Sequence, residues 1–159
     1  MLENNNDYDR SIKFLRKERE SSRLKFQIIT EEVQEVINSL VDDTNNLLVS
    51  IEKLKLFNLN EVVQLTEKVS FVKVLENEKE MHFVSYILEG GKYGIHKHDC
   101  EEITKVIKGH LIETQNGNSE YSQGEYVIHY PNTLHEHKAN MDSEYYVVFK
   151  FKPYVKQTN

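Results

Sequence analysis

Seven histidines stand in this 159-residue chain, and all of them fall in its second half: His82, His96, His98, His110, His129, His135 and His137. Their spacing says more than their number. His96 and His98 are two apart, so on an extended strand both imidazoles leave the same face. Glu102 follows four residues later, within reach of that face after one slight bend or bulge. A third imidazole has to come from another strand, and His135, after the turn at Pro131, is well placed to supply it. Three imidazoles and one carboxylate form a borderline-hard donor set suited to one divalent transition metal: iron, manganese, nickel, cobalt or zinc. A six-coordinate ion with four protein ligands keeps positions for water or a small molecule, whose oxygen it would polarise.

Other residues could take part. His137 lies two beyond His135 and on a continuous strand faces the same interior, which makes it the first candidate for an acid–base or ligand-anchoring group. Its bland alternative is a half-exposed histidine at the mouth. Tyr126, Tyr130, Tyr86 and Tyr146 are candidates to line a ligand cavity, since tyrosine offers an apolar wall and a hydroxyl together. Each reads equally as core. His82 and His129 receive no catalytic role, because strand parity leaves their direction open, and His110 is expected on an exposed turn after Gly109. Glu101 rivals Glu102 but projects to the opposite side of an extended segment.

The elements that must position these residues differ between the two halves. After Phe57 apolar residues recur at period two, in runs at 69–75, 81–88, 102–108, 110–114, 124–130 and 144–152. Tyr145, Val147, Phe149 and Phe151 alternate along the last run. Gly90–Gly91, Asn116–Gly117–Asn118 and Gly124 are turn signals between runs. Short strands at even spacing predict a sandwich or barrel and not βαβ units.

Before Phe57 the period is helical. Phe26, Val33, Leu40, Leu47 and Leu54 fall seven apart, Ile29 and Val36 fill the alternate heptad slot, and Asp43 and Ser50 interrupt it. Ile37, Val41, Leu48 and Ile51 add a second stripe. This predicts one long, coiled-coil-like helix of about four heptads. Such a helix cannot bury its stripes alone, so it lies on its own subunit or pairs two chains; the regular seam favours a dimerisation arm, hence a homodimer through the helix, the barrel or both.

Gly90, five residues, His96–Lys97–His98, three residues, Glu102, six residues and Gly109 together resemble the first motif of the cupin superfamily. The second motif is degraded. Gly124 and His135 hold its ends, Tyr130 stands where proline is usual with Pro131 one place late, Asn132 replaces a glycine, and Ala139 replaces an asparagine with Asn140 one place late. Asparagine tolerates the left-handed backbone that glycine would supply. The resemblance covers residues 58–152. It implies a mainly β, jelly-roll-like barrel with an α extension, and it makes His96, His98, Glu102 and His135 the metal ligands. It gives Cys100, which sits between His98 and Glu102, no ligand role. The expected division is a helical arm over 1–57, its first eight or so residues disordered, and a cupin barrel over 58–155.

Composition narrows the function classes. Apolar residues at 38% against 29% charged allow a buried core, and a formal charge of −6 with a pI near 5.7 does not describe a polyanion-binding protein. Arg10, Lys13, Arg16, Lys17, Arg19, Arg23 and Lys25 form a basic run, read as a solvated face because no base-reading motif accompanies it. Nucleic acid is therefore not an expected partner, nor is a membrane, as no apolar run approaches a span. The single cysteine and the polar start predict a cytoplasmic protein. The expected function is binding of a small molecule at the metal centre, as a sensor or regulatory module dimerised by the helix. The alternative is a metal-dependent enzyme: a dioxygenase, or an isomerase, epimerase or lyase acting on a small acid or sugar. A zinc-stabilised interaction protein is the third class.

Overall fold

A computed structural model describes residues 31–41, 47–113 and 119–151. Its elements in chain order are α1 (Glu31–Val41), α2 (Ile51–Leu54), β1 (Val62–Thr66), β2 (Val69–Glu76), β3 (Glu80–Ile87), β4 (Lys92–His96), β5 (Glu101–Lys108), β6 (His110–Glu113), β7 (Ser119–Ser122), β8 (Tyr126–His129), β9 (His135–Lys138) and β10 (Ser143–Lys150). All pairings between strands are antiparallel. They form a six-stranded sheet in the order β1-β2-β3-β10-β5-β8 and a four-stranded sheet in the order β4-β9-β6-β7.

The closed barrel of the sequence reading is thus corrected to two separate sheets. Strand periodicity reports which face of a strand is buried, and both arrangements bury one face. The inner face of the large sheet follows from alternation. Tyr145, Val147 and Phe149 of β10 point inward beside Ser85, Phe83 and Met81 of β3. On the other side of β10, Val147 faces Thr104 and Phe149 faces Glu102 of β5. Phe71 and Phe83 pack edge to face at 5.4 Å, and Phe83 meets Phe149 at 5.6 Å, geometries that favour aromatic pairs.

The single long helix is also corrected. Among the described residues, α1 ends at Val41, and residues 47–50 are not helical. Leu48 instead forms a parallel bridge with Lys97, with Lys97 N–H donating to the Leu47 carbonyl and Val49 N–H to the Lys97 carbonyl, both at 2.8 Å. Backbone groups spent on another strand cannot continue a helical ladder. Ser50 then starts α2 as its N-cap, its hydroxyl accepting from Lys53 N–H. The heptad interruption at Ser50 is a helix start. The other interruption, Asp43, and the basic run at 10–25 lie outside the described residues, as does the expected disorder of residues 1–8.

The apolar stripe of α1 turns inward within the chain. Val36, Ile37 and Leu40 belong to the same core as Phe71, Phe83 and Tyr145. The helix lies against β4 at Gly94, where an added Cβ would sit 3.1 Å from the Leu40 carbonyl oxygen.

Gly109, between β5 and β6, has φ +86°, and a Cβ there would come 2.2 Å from Ser143 Oγ and 2.7 Å from the Asp142 carbonyl. Gly109→Ala combines left-handed strain with a collision against β10. It is expected to destabilise the fold by about 1–3 kcal/mol in urea unfolding, and an unchanged midpoint would show that this turn yields freely.

Candidate metal centre

Sheet register brings the candidate residues together. His96 at the end of β4 is paired with His135 on β9, and Tyr93 with His137 two residues along. Glu102 on β5 is paired with His129 on β8. The small sheet thus carries His96, His135 and His137, while the large sheet carries Glu102 and His129. His98 follows β4 directly. His96, His98, Glu102 and His135 are all buried, and one potential ligand atom from each lies within 4.8 Å of the others. A second group, Glu102, His129, His135 and His137, meets the same distance.

The outer nitrogens of three rings are fixed by backbone carbonyls. His96 Nδ1 is 2.6 Å from the Gly94 oxygen, His98 Nδ1 is 2.7 Å from the Val49 oxygen, and His135 Nδ1 is 2.9 Å from the Thr133 oxygen. A carbonyl only accepts, so each Nδ1 carries the hydrogen and each neutral ring presents a bare Nε2. Asn132 N–H donates to the His98 carbonyl at 2.7 Å, and Asn132 takes φ 64°, the left-handed backbone its amide tolerates in place of glycine.

Glu102 meets these rings from the opposite sheet. Its Oε1 lies 3.2 Å from His98 Nε2 and 3.1 Å from His135 Nε2, and its Oε2 lies 3.1 Å from His137 Nε2. Thr104 donates to the same Oε2 at 2.6 Å. Burial works to raise the Glu102 carboxyl, but the charges and hydrogen bonds of His135 and His137 prevail and hold it well below 4.5. For His135 burial is likewise overcome, here by Glu102, and its pKa is raised. His96, by contrast, is held well below 6.5 by burial and by His135 and His98 beside it.

The donor set fits a divalent transition metal. His98 Nε2 is buried without a hydrogen-bond partner although Glu102 is 3.2 Å away. His135 can donate to Glu102 only as the imidazolium, since its Nδ1 hydrogen is already committed to Thr133. A cation between carboxylate and rings meets both needs.

A cavity of about 420 Å³, its open mouth included, adjoins the cluster. Leu40, Leu54, Phe71 and Phe149 supply apolar wall, while Ser85, Tyr93 and His137 supply polar groups. The Tyr93 hydroxyl is hydrogen-bonded to Ser85, and burial raises its pKa, so it stays protonated. His137 Nδ1 is buried without a hydrogen-bond partner.

The tyrosines named from sequence as lining the cavity lie elsewhere. Tyr126 and Tyr130 are 59% and 65% exposed. Tyr86 packs with Val62 and Val72 on the other face of the large sheet, and Tyr146 bonds His82 at 2.7 Å. Composition drew attention to tyrosine, but direction depends on strand parity. Alternation from Glu102 and Phe149 would have reached Tyr93 only through the sheet pairing. His129 and Glu113, buried and 3.3 Å apart, were missed for the same reason. His110 begins β6 and is half-buried, whereas Cys100 is buried, its thiol pushed up to about 12 by burial and nearby carboxylates. Glu101 is half-buried and not part of either cluster.

No family model and no curated protein matches the chain. Solved structures do. KdgF from a Halomonas species superposes with a TM-score of 0.53 at 18% identity, over 59% of this chain and 93% of that one. An RmlC-like cupin from Shewanella frigidimarina gives 0.53 at 13% identity, over 59% and 88%. The fold is that of a cupin. The DMSP lyase DddQ from Ruegeria pomeroyi gives 0.51 at 16% identity, over 56% of this chain and 50% of that chain. Among the described residues, no helix is long and apolar enough to cross a membrane.

Acid sensitivity follows from the buried rings. Burial pushes His129 down to about 3, from an ordinary value of 6.5. Between those values the unfolded chain binds a proton that the folded chain does not, so stability falls as pH is lowered from about 6.5. His96 acts in the same direction, and the raised pKa of His135 acts against it. Metal-free protein is expected to be less stable at pH 5 than at pH 7 in urea, and His129→Gln to shrink that difference by about 1–2 kcal/mol. An undiminished difference would mean that His129 does not contribute.

Proposed function

We propose that this chain is a metal-dependent binder of a small molecule, with one divalent transition metal on His96, His98, Glu102 and His135. The observation that carries the reading is the set of three Nδ1–carbonyl hydrogen bonds, which commit three buried Nε2 lone pairs to one point beside a carboxylate. Iron, manganese, nickel, cobalt and zinc all accept such donors. When bound, the metal supplies Lewis acidity toward an oxygen of the small molecule.

The chain's own residues set what that molecule is. The wall of Leu40, Leu54, Phe71 and Phe149 excludes water and favours an apolar body. The protonated Tyr93 hydroxyl and His137 Nδ1 are the groups that would hold its polar end. Leu40 and Leu54 come from the helical segment, so we assign that segment to closing the cavity.

A second reading, catalysis, is favoured by His137, which lines the cavity, contacts Glu102 and has one ring nitrogen without a partner. There it would hold or move a proton of the bound molecule. The likeness to DddQ, named a lyase, lends support at the level of fold.

Elemental analysis of untagged protein is expected to find at least one transition-metal ion per chain, and the His96→Ala/His98→Ala double variant is expected to hold one fewer, with the fold retained by circular dichroism. Absence of metal from the parent protein after loading with each candidate ion would overturn the reading. Should metal be present, His137→Ala is expected to abolish any turnover without releasing the ion held by His96, His98, Glu102 and His135.

A further inference from the structure

The two oxygens of Glu102 are used separately. Oε1 faces His98 and His135, whereas Oε2 faces His137, 3.1 Å away. Beyond His137 the cluster continues, for its Nε2 is 3.4 Å from His129 Nε2. Glu113 Oε2 lies 3.3 Å from that same His129 nitrogen. His129, His137 and Glu113 are as buried as the four residues already assigned to the metal.

We propose that His129 and His137, with the second oxygen of Glu102, hold a second divalent cation, so that Glu102 bridges two ions. The proposal rests on the metal reading above and deepens it. Donor atoms around a tetrahedral ion with bonds of about 2.0–2.1 Å lie roughly 3.3 Å apart. The separations of 3.1 Å and 3.4 Å along Glu102, His137 and His129 match those edges. Glu102, His129, His135 and His137 lie within the mutual reach of one ion, but the His135 Nε2 lone pair serves the first. The second ion therefore has three protein ligands and open positions, the arrangement of a working site and not a structural one.

Charge decides what two such ions would bind. Two carboxylates, Glu102 and Glu113, are buried at 1% and 2% exposure beside the imidazoles. Two dications exceed that charge by about two units, and carboxylate-bridged ions roughly 3.5–4 Å apart bind anionic oxygens between them. A small molecule with a carboxylate or enolate oxygen would fill the open positions, and the tautomer imposed by an ion on His137 Nε2 leaves Nδ1–H to donate to it.

The test is metal counting with Mn²⁺ on the full chain, by elemental analysis after removal of free ion and by electron paramagnetic resonance. Two ions per chain with a spin-coupled signal are expected. His129→Gln/His137→Gln is expected to bind one ion with an isolated six-line signal, its fold checked by circular dichroism. One ion per chain in the parent at saturating Mn²⁺ overturns the second site, whatever becomes of the variant. Two ions retained in the folded variant overturn it as well. If the parent binds none, the reading under Proposed function has failed with it; if one ion is bound and then lost in His96→Ala/His98→Ala, only the second site has failed.

Discussion

Glu102 is a carboxylate almost wholly removed from water, and an ion in such a place is tolerated only when other groups meet its charge. The rest of the site is arranged around that demand. Three imidazoles approach its two oxygens, Thr104 donates a hydroxyl hydrogen, and the balance keeps the carboxyl ionised against its burial. The rings come from one sheet and its following loop while the carboxylate comes from the other. Closing the two sheets on each other and assembling the cation site are thus one event, and a bound ion would tie the sheets together.

The segment before the first strand is part of this assembly. Its backbone accepts from His98 Nδ1 at Val49, bridges Lys97 on both sides, and donates from Ile51 N–H to Asp99 at 2.9 Å. These bonds hold the ring of a candidate ligand from outside, while α1 and α2 bring Leu40 and Leu54 to the cavity. Orientation of the histidine and shape of the cavity therefore depend on the same segment of chain. A cavity that joins apolar walls, a protonated phenol and a candidate cation site is what the proposed binding of a molecule with one oxygen-rich end requires.

Six of the ten strands were legible because alternation survives folding, whereas β1, β4, β7 and β9 had no run of their own. The run predicted at 69–75 is β2 at Val69–Glu76, and the one predicted at 144–152 is β10 at Ser143–Lys150. The helical pattern misled where backbone, not side chains, decided. Leu47 and Leu48 keep the helical spacing, yet a strand end offering unpaired groups at Lys97 takes the peptide units of residues 47–49. Tyr126 and Tyr130 misled because a tyrosine satisfies the same composition rule in a pocket or on a surface.

By itself the sequence determined the strand periods, the turn at Gly109 that no other residue fits easily, and the short-range cluster His96, His98 and Glu102, all properties of neighbours along the chain. Only the tertiary structure decided that His135 meets His96, that His129 stands opposite Glu102, and that Tyr93 and not Tyr126 faces the cavity. These depend on which strand pairs with which and in what register, and a one-residue slip would reverse every side chain. That choice is made by the whole core at once, so no local stretch of sequence contains it.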